Sequence, residues 1–163
     1  IGTKANKNIP RVAEALAGIQ CRLVIIGALS SELIDALTTH EIDFENHVGL
    51  SRDALLAQYL RSDMLMFAST SEGFGLPIVE AHALGRPVLT SNRPPMTEVA
   101  EDAACFVDPF DVGSIRRGVL QIMENPDYRD YLLKAGSKNA MRFKLSTIAD
   151  KYAAIYQRIA SQK

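Results

Sequence analysis

Two kinds of hydrophobic pattern alternate along the chain: helical stripes and short continuous apolar runs. Across residues 8–17, apolar side chains recur three and four positions apart, which predicts an amphipathic helix that ends at Gly18. Residues 22–26 form a short run rich in β-branched side chains, typical of a strand buried on both faces. The alternation predicts a short strand and turn at 46–50 and further strands at 64–68, 87–90 and 104–107. It also predicts a helical turn at 97–99 and helices at 31–38, from 51 onward, and at 78–84, 111–124, 126–143 and 146–160.

Strands that alternate with helices through short turns predict an α/β fold, a Rossmann-like parallel sheet with helices on both faces. A length of 163 residues predicts one domain, residues 1–163. Sheets of this kind bind ligands at the carboxyl ends of their strands. The polar, glycine-rich loop 69–77 follows a strand and precedes a helix, so we expect it at that edge. In the helix from Ser51, the predicted core face is Leu55, Leu56, Tyr59 and Leu60.

Composition narrows the class of protein. The 18 basic and 19 acidic residues give a net charge of -1, which argues against binding nucleic acid through bulk charge. No apolar run approaches the ~18 residues of a membrane span. The two cysteines, Cys21 and Cys105, lie in apolar stretches and predict reduced thiols in buried strands. No Cys or His lies at ligand spacing from another, so we expect no metal.

The glycine-rich loop 69–77 contains the residues that point to a ligand-binding site. Gly73 and Gly75 allow the backbone to approach a ligand and to turn several N–H groups in one direction. The helix that starts near Pro77 adds its positive end, so loop and helix together predict an anion site suited to phosphate. Carboxylates repel phosphate, so Glu72 and Glu80 call for a hydrogen-bond donor, and sugar hydroxyls are donors. The alternative is that these residues have only structural roles. Glycines form turns, and a Glu near the start of a helix is stabilised by the helix dipole.

These residues also carry a resemblance. The run EGFGLPIVE from Glu72 to Glu80, followed by AHALGRPV, closely resembles the signature of the retaining GT-B glycosyltransferases of family 4, the group 1 glycosyltransferases. The segments 2–8, 48–51, 98–100 and 107–109 are similar to other family positions in the same order. The resemblance implies that the chain is the C-terminal, donor-binding lobe of a GT-B fold.

The resemblance implies a role for each matched residue. Glu72 would contact the donor sugar and stabilise positive charge without acting as a nucleophile, and Lys7 would neutralise the leaving diphosphate. Glu80 would hold the ribose hydroxyls. No cofactor or metal is implied. The other substrate-binding positions implied are Gly73, Phe74, Gly75 and Leu76 with their backbone N–H groups, Gly2 and Thr3 of the opening loop, and Gly49 and Leu50 near the base.

The implied reaction is transfer of a hexose (mannose, glucose or similar) from a nucleotide diphosphate sugar to a glycan or lipid-linked acceptor, with retention. It belongs to polysaccharide and lipopolysaccharide biosynthesis. The chain begins Ile1-Gly2-Thr3, without Met. We therefore expect a fragment that lacks the N-terminal acceptor lobe, binds donor nucleotide and does not transfer sugar alone. The base and sugar of the donor, the acceptor, the linkage and the oligomeric state stay open.

The sequence departs from the family pattern in the opening loop. Thr3 and Asn6 stand where the family often has Arg. Lys4 is one candidate substitute, although Lys holds phosphate as a point charge and not as a fork. Arg52 and Arg93 are the other candidates.

Two other function classes remain open: a lobe of a nucleotide-sugar epimerase, and a non-catalytic sugar-nucleotide-binding module. We expect His82 to pack in the core. The chemistry predicts a cytoplasmic protein, with peripheral contact at the inner membrane face as a second option. A basic stripe is either a solvated face or a surface for anionic lipid or a lipid-linked acceptor, and it comprises Lys134, Lys138, Arg142 and Lys144.

Overall fold

A computed structural model describes residues 1–161 as short parallel strands that alternate with helices. Its strands are β1 (Leu23–Ile26), β2 (Phe44–His47), β3 (Leu65–Phe67), β4 (Val88–Ser91) and β5 (Cys105–Val107). Its helices are α1 (Ile9–Leu16), α2 (Ser31–Thr39), α3 (Arg52–Arg61), α4 (Leu76–Ala83), α5 (Met96–Ala100), α6 (Val112–Glu124), α7 (Pro126–Ala140) and α8 (Leu145–Ala160). Short 3₁₀ turns cover Ala5–Lys7 and Met141–Phe143.

All strand pairs are parallel, which confirms the predicted α/β class, but the strands form two sheets. β1 pairs with β2, and β4 lies between β3 and β5. Side chains of β1 and β3 line a groove of about 350 Å³ between the two sheets. The buried cores lie between these strands and the helices that cross back over them.

Several local predictions are wrong in detail. β2 spans Phe44–His47, so the strand starts two residues before the predicted Asn46. The predicted turn follows it, with Gly49 at φ +67°. Cys21 lies before β1 and is half-buried, whereas Cys105 lies in β5 as predicted; both thiols are free. Leu60 faces solvent, so the core face of α3 is narrower than predicted, with only Tyr59 fully buried.

The helix that follows the glycine-rich loop is held by a buried polar network. His82 of α4 bonds through Nε2 to the Ala103 carbonyl at 3.0 Å. Asn139 of α7 donates to the Val99 carbonyl at 2.8 Å and lies 3.1 Å from His82 Nδ1. Both contacts are satisfied by a neutral imidazole that carries its proton on Nε2. His82 therefore packs in the core, as predicted.

A close helix contact accompanies this network. A Cβ at Gly136 of α7 would stand 2.7 Å from Cδ2 of His82, so only glycine lets α7 approach α4 this closely. The position and tilt of α4 thus depend on side chains more than 50 residues further along the chain.

The last helix is different from the others. α8 has no buried residue and exposes apolar side chains such as Leu145, Tyr152 and Tyr156. It begins at Leu145 with no side-chain cap, so the sequence prediction of a helix that starts at 146 is off by one residue. No helix within residues 1–161 is long and apolar enough to cross a membrane.

Replacing Asn139 by Ala should lower the free energy of unfolding by about 1–3 kcal/mol, because the Val99 carbonyl loses its partner in the core. Lys138→Ala, one position earlier on the exposed side of α7, is the matched control and should change it little. Urea denaturation measures both. Equal effects of the two substitutions would contradict the role given to the network.

The stability of the fold should fall as the pH drops below about 6.5. Burial lowers the pKa of His82 below its ordinary value of 6.5, so the unfolded chain binds a proton that the folded chain resists. The free energy of unfolding should therefore decline from pH 7 to pH 5, and His82→Gln should flatten that part of the profile. An unchanged slope in His82→Gln would show that other groups cause the decline.

Candidate functional site

The candidate site lies at the carboxyl ends of β1 and β3, where the Ala5–Lys7 turn meets the loop 68–75. Lys7 Nζ and Glu72 Oε1 are 2.7 Å apart, although 65 positions separate the two residues. Their side chains are 17% and 13% exposed, so the ion pair is screened from most of the solvent but remains reachable. Lys7 Nζ also lies 4.7 Å from the centroid of the Phe67 ring, a cation–π distance. The structure thus brings together the two residues for which the family resemblance implies catalytic roles.

Gly2 makes room for the Lys7 side chain. Its N–H donates to the Ile26 carbonyl at 2.7 Å, which fixes the first residues to the end of β1. Its φ of +83° favours glycine, and a Cβ here would stand 2.8 Å from Lys7 Cε. A larger residue would therefore move the ammonium group away from Glu72. Thr3 packs its methyl group against Gly27, where an added Cβ would come within 2.9 Å.

Asn6 holds the loop that carries Glu72. Its amide donates to the Ser71 carbonyl at 2.8 Å and to Glu72 Oε1 at 3.3 Å, and its carbonyl accepts from Thr70 N at 2.9 Å. The sequence marked this position only as a departure from Arg. In the structure Asn6 is a second donor to the carboxylate and a backbone anchor of the loop.

The glycine-rich loop presents unused backbone donors. The N–H groups of residues 73–76 donate no hydrogen bond to any atom of residues 1–161. Gly75, at φ +97°, is the N-cap of α4, so these groups lie at the positive end of an eight-residue helix. The side chains of Phe74 and Leu76 are exposed, which leaves the backbone between them open. This arrangement can accept an anion, as the loop pattern predicts.

Glu80 lies one turn into α4 and is held by a residue that the sequence analysis assigned only to the core. Tyr59 Oη donates to Glu80 Oε2 at 2.7 Å. Tyr59 is 5% exposed, and this burial raises the pKa of its hydroxyl far above the ordinary value of 10, with a further contribution from Glu80. No local sequence signal identifies this contact, because the two residues are 21 positions apart on different helices.

The other predicted residues are more loosely connected to the ion pair. Gly49 is exposed and Leu50 is half-buried just after β2, and neither bonds to Lys7 or Glu72 within the described chain. Arg52 is exposed on the first turn of α3. Arg93 lies 5.5 Å from the centroid of Phe110, and Lys4 is exposed. None of the candidate cations thus forms an ion pair in residues 1–161 that ties it to the site.

One polar side chain beside the ion pair lacks a partner. Ser69 is 1% exposed, and its Oγ has no hydrogen-bond partner among the described residues. It lines a cavity of about 50 Å³ together with Gly2, Lys7 and Phe67. No motif in the sequence points to Ser69. No group of three or more metal-ligating side chains occurs within residues 1–161.

Comparison with known proteins places this geometry in a family. Residues 3–139 match the family described as Glycosyl transferases group 1. The O-antigen chain mannosyltransferase B of Escherichia coli is 36% identical over 85 residues, which is 52% of this chain and 22% of that protein. A phosphatidyl-myo-inositol mannosyltransferase of Mycobacterium leprae is 25% identical over 157 residues, 94% of this chain and 41% of that protein. This chain thus spans less than half the length of both relatives.

A solved structure shares the fold. Anabaena HepE, crystallised in complex with UDP and glucose, superposes with a TM-score of 0.82 at 20% identity, covering 97% of this chain and 47% of that one. At this identity the likeness speaks for the fold, and it confirms the predicted GT-B lobe. The family match spans the glycine-rich loop, both glutamates and Lys7. The chain belongs to the group 1 glycosyltransferase family.

Proposed function

We propose that this chain binds the nucleotide diphosphate sugar of a retaining hexosyltransferase of family 4, and that the whole protein transfers the sugar. The observation that carries the proposal is the Lys7–Glu72 ion pair beside four unused N–H groups at the start of α4. Such a site offers a cation and backbone donors to a diphosphate, and a carboxylate to sugar hydroxyls. These three complementarities fit one ligand class.

Without donor, Lys7 and Glu72 neutralise each other. A bound diphosphate would take over the ammonium group, and the hydroxyls of the sugar would take over the carboxylate. Binding thus exchanges one ion pair for two sets of contacts, and neither charge is left without a partner in a partly buried site. Asn6 keeps its second bond to Ser71 during this exchange, so the loop stays anchored.

The same residues suit the chemical step. When the bond from the anomeric carbon to the phosphate oxygen breaks, negative charge grows on the diphosphate and positive charge grows on the sugar. Lys7 and the free N–H groups stabilise the first, and Glu72 stabilises the second without forming a bond. The acceptor hydroxyl attacks the anomeric carbon from the face that the diphosphate leaves, so the anomeric configuration is retained. The leaving phosphate takes the proton of that hydroxyl. In this proposal the step uses neither a cofactor nor a metal.

Mannose is the hexose that the relatives favour, since both named above are mannosyltransferases. We propose that the acceptor, a glycan or lipid-linked sugar, binds a lobe of the longer protein that lies outside this chain. The chain covers only part of its relatives, which agrees with that division. A cytoplasmic location, with peripheral contact at the inner membrane face, follows from the donor and from a lipid-linked acceptor.

Nucleotide diphosphates should stabilise the chain against heat. With GDP, UDP or ADP at about 1 mM and a Kd of about 100 μM, the gain is about 1.4 kcal/mol, or roughly 3–5 °C in Tm. A shift with one base identifies the donor class. Conversion of free sugar nucleotide without acceptor would favour the epimerase alternative, and no shift with any of the three would contradict the proposed site.

Substitutions at the ion pair should separate binding from catalysis. Lys7→Met should weaken diphosphate binding about tenfold or more, because the fixed cation is lost. Glu72→Gln should leave this binding equal or stronger, because Lys7 is released from its partner, yet it should lower kcat of the full-length protein by orders of magnitude. Calorimetry and a transfer assay measure the two quantities.

Two further variants control for charge and folding. Lys151→Met removes an exposed cation of α8 and should change neither quantity. Lys7→Met combined with Glu72→Gln leaves no unpaired charge and should still bind diphosphate weakly. Equal losses of binding and of kcat in Glu72→Gln would refute the role proposed for its carboxylate.

A further inference from the structure

We propose that Tyr59 is a positioning residue for nucleotide recognition: it orients the Glu80 carboxylate so that the free oxygen accepts the ribose hydroxyls of the donor. The inference deepens the proposed function and rests on it. The juxtaposition that carries it is the 2.7 Å hydrogen bond from Tyr59 Oη on α3 to Glu80 Oε2 on α4.

The Tyr59 ring is fixed in one place. It is 5% exposed and belongs to the buried cluster that includes Leu65, Phe67 and Ile78 of β3 and α4. Its hydroxyl therefore reaches Glu80 from the core, and the packing around the ring holds it in that position. A fixed donor is what a carboxylate on a helix surface needs in order to keep one rotamer.

The bond uses only part of Glu80. Tyr59 is the single side-chain partner of this carboxylate within residues 1–161, and it occupies Oε2. Oε1 has no partner there, so it is free to accept one or two hydroxyl protons. Vicinal hydroxyls of a ribose present two donors side by side. One oxygen anchored by a phenol and one left open is an arrangement that suits them.

The donor role of Tyr59 holds at every physiological pH. Burial raises the pKa of its hydroxyl far above 10, and the neighbouring carboxylate raises it further, so the proton stays on the oxygen. The hydroxyl consequently always donates and never competes with the ribose for a proton. Tyr59→Phe removes that single oxygen and preserves the ring that packs against β3 and α4.

The test compares ribonucleotides with deoxyribonucleotides. Calorimetry on the chain with GDP, UDP and their 2′-deoxy and 3′-deoxy forms should show that the wild type prefers a ribonucleotide by about tenfold, the value of one good hydrogen bond. In Tyr59→Phe this preference should shrink to about twofold, through weaker ribonucleotide binding and nearly unchanged deoxyribonucleotide binding. A loss of packing alone would weaken all the nucleotides alike and would leave the ratio intact.

Two controls make the assignment specific. Tyr131→Phe makes the same chemical change at an exposed hydroxyl that contacts Asp102, and it should keep the wild-type preference. Glu80→Ala should abolish the preference, and adding Tyr59→Phe to it should have no further effect, because Tyr59 acts only through Glu80.

The outcomes separate this inference from the function it rests on. A ribose preference that persists unchanged in Tyr59→Phe overturns the role of Tyr59 and leaves the donor site standing. A wild type that binds nucleotides without ribose preference overturns the Glu80 contact and, with it, the role of Tyr59. A wild type that binds none of the nucleotides overturns the proposed function itself.

Discussion

The Lys7–Glu72 ion pair is the interaction on which the organisation of the site depends. It closes a 65-residue separation and joins the first turn of the chain to the loop after β3. Exposed ion pairs contribute little to stability, and a half-buried one must offset the loss of hydration. The contribution of this ion pair is therefore mainly to geometry, because it holds two opposite charges side by side at the carboxyl edge of the sheets. Gly2 leaves room for the Lys7 side chain, and the side-chain amide of Asn6 donates to Glu72 Oε1.

A second layer of contacts fixes the helix that carries Glu80. α4 is held at His82 by Asn139 and Gly136 of α7 and by the Ala103 carbonyl. At Glu80 it is held by Tyr59 of α3. These contacts come from segments that are distant from α4 in the sequence. These contacts anchor the second half of α4 at Glu80 and His82, and the unused N–H groups of residues 73–76 lie at its start.

Departures from a family pattern gain meaning only from the structure. Asn6 appeared as the loss of an arginine, and by itself that suggests a weaker diphosphate site. Its side-chain amide donates two hydrogen bonds to Ser71 and Glu72, so the residue supports the geometry of the loop. Arg93, a candidate for the missing cation, stacks instead beside Phe110 together with Arg11. The fixed cation at the loop is thus Lys7, as the family resemblance implies.

The sequence by itself determined the alternation of strands and helices, the α/β class, and the position of the glycine-rich loop between a strand and a helix. These properties are local: they follow from periodicity, glycine spacing and the end of a strand. It did not determine the division of the strands into two sheets, the pairing of Tyr59 with Glu80 or the anchoring by Asn6. Those features depend on residues 21 to 66 positions apart meeting in space. Only tertiary packing sets such distances, because no short-range pattern encodes which distant side chain will face a given carboxylate.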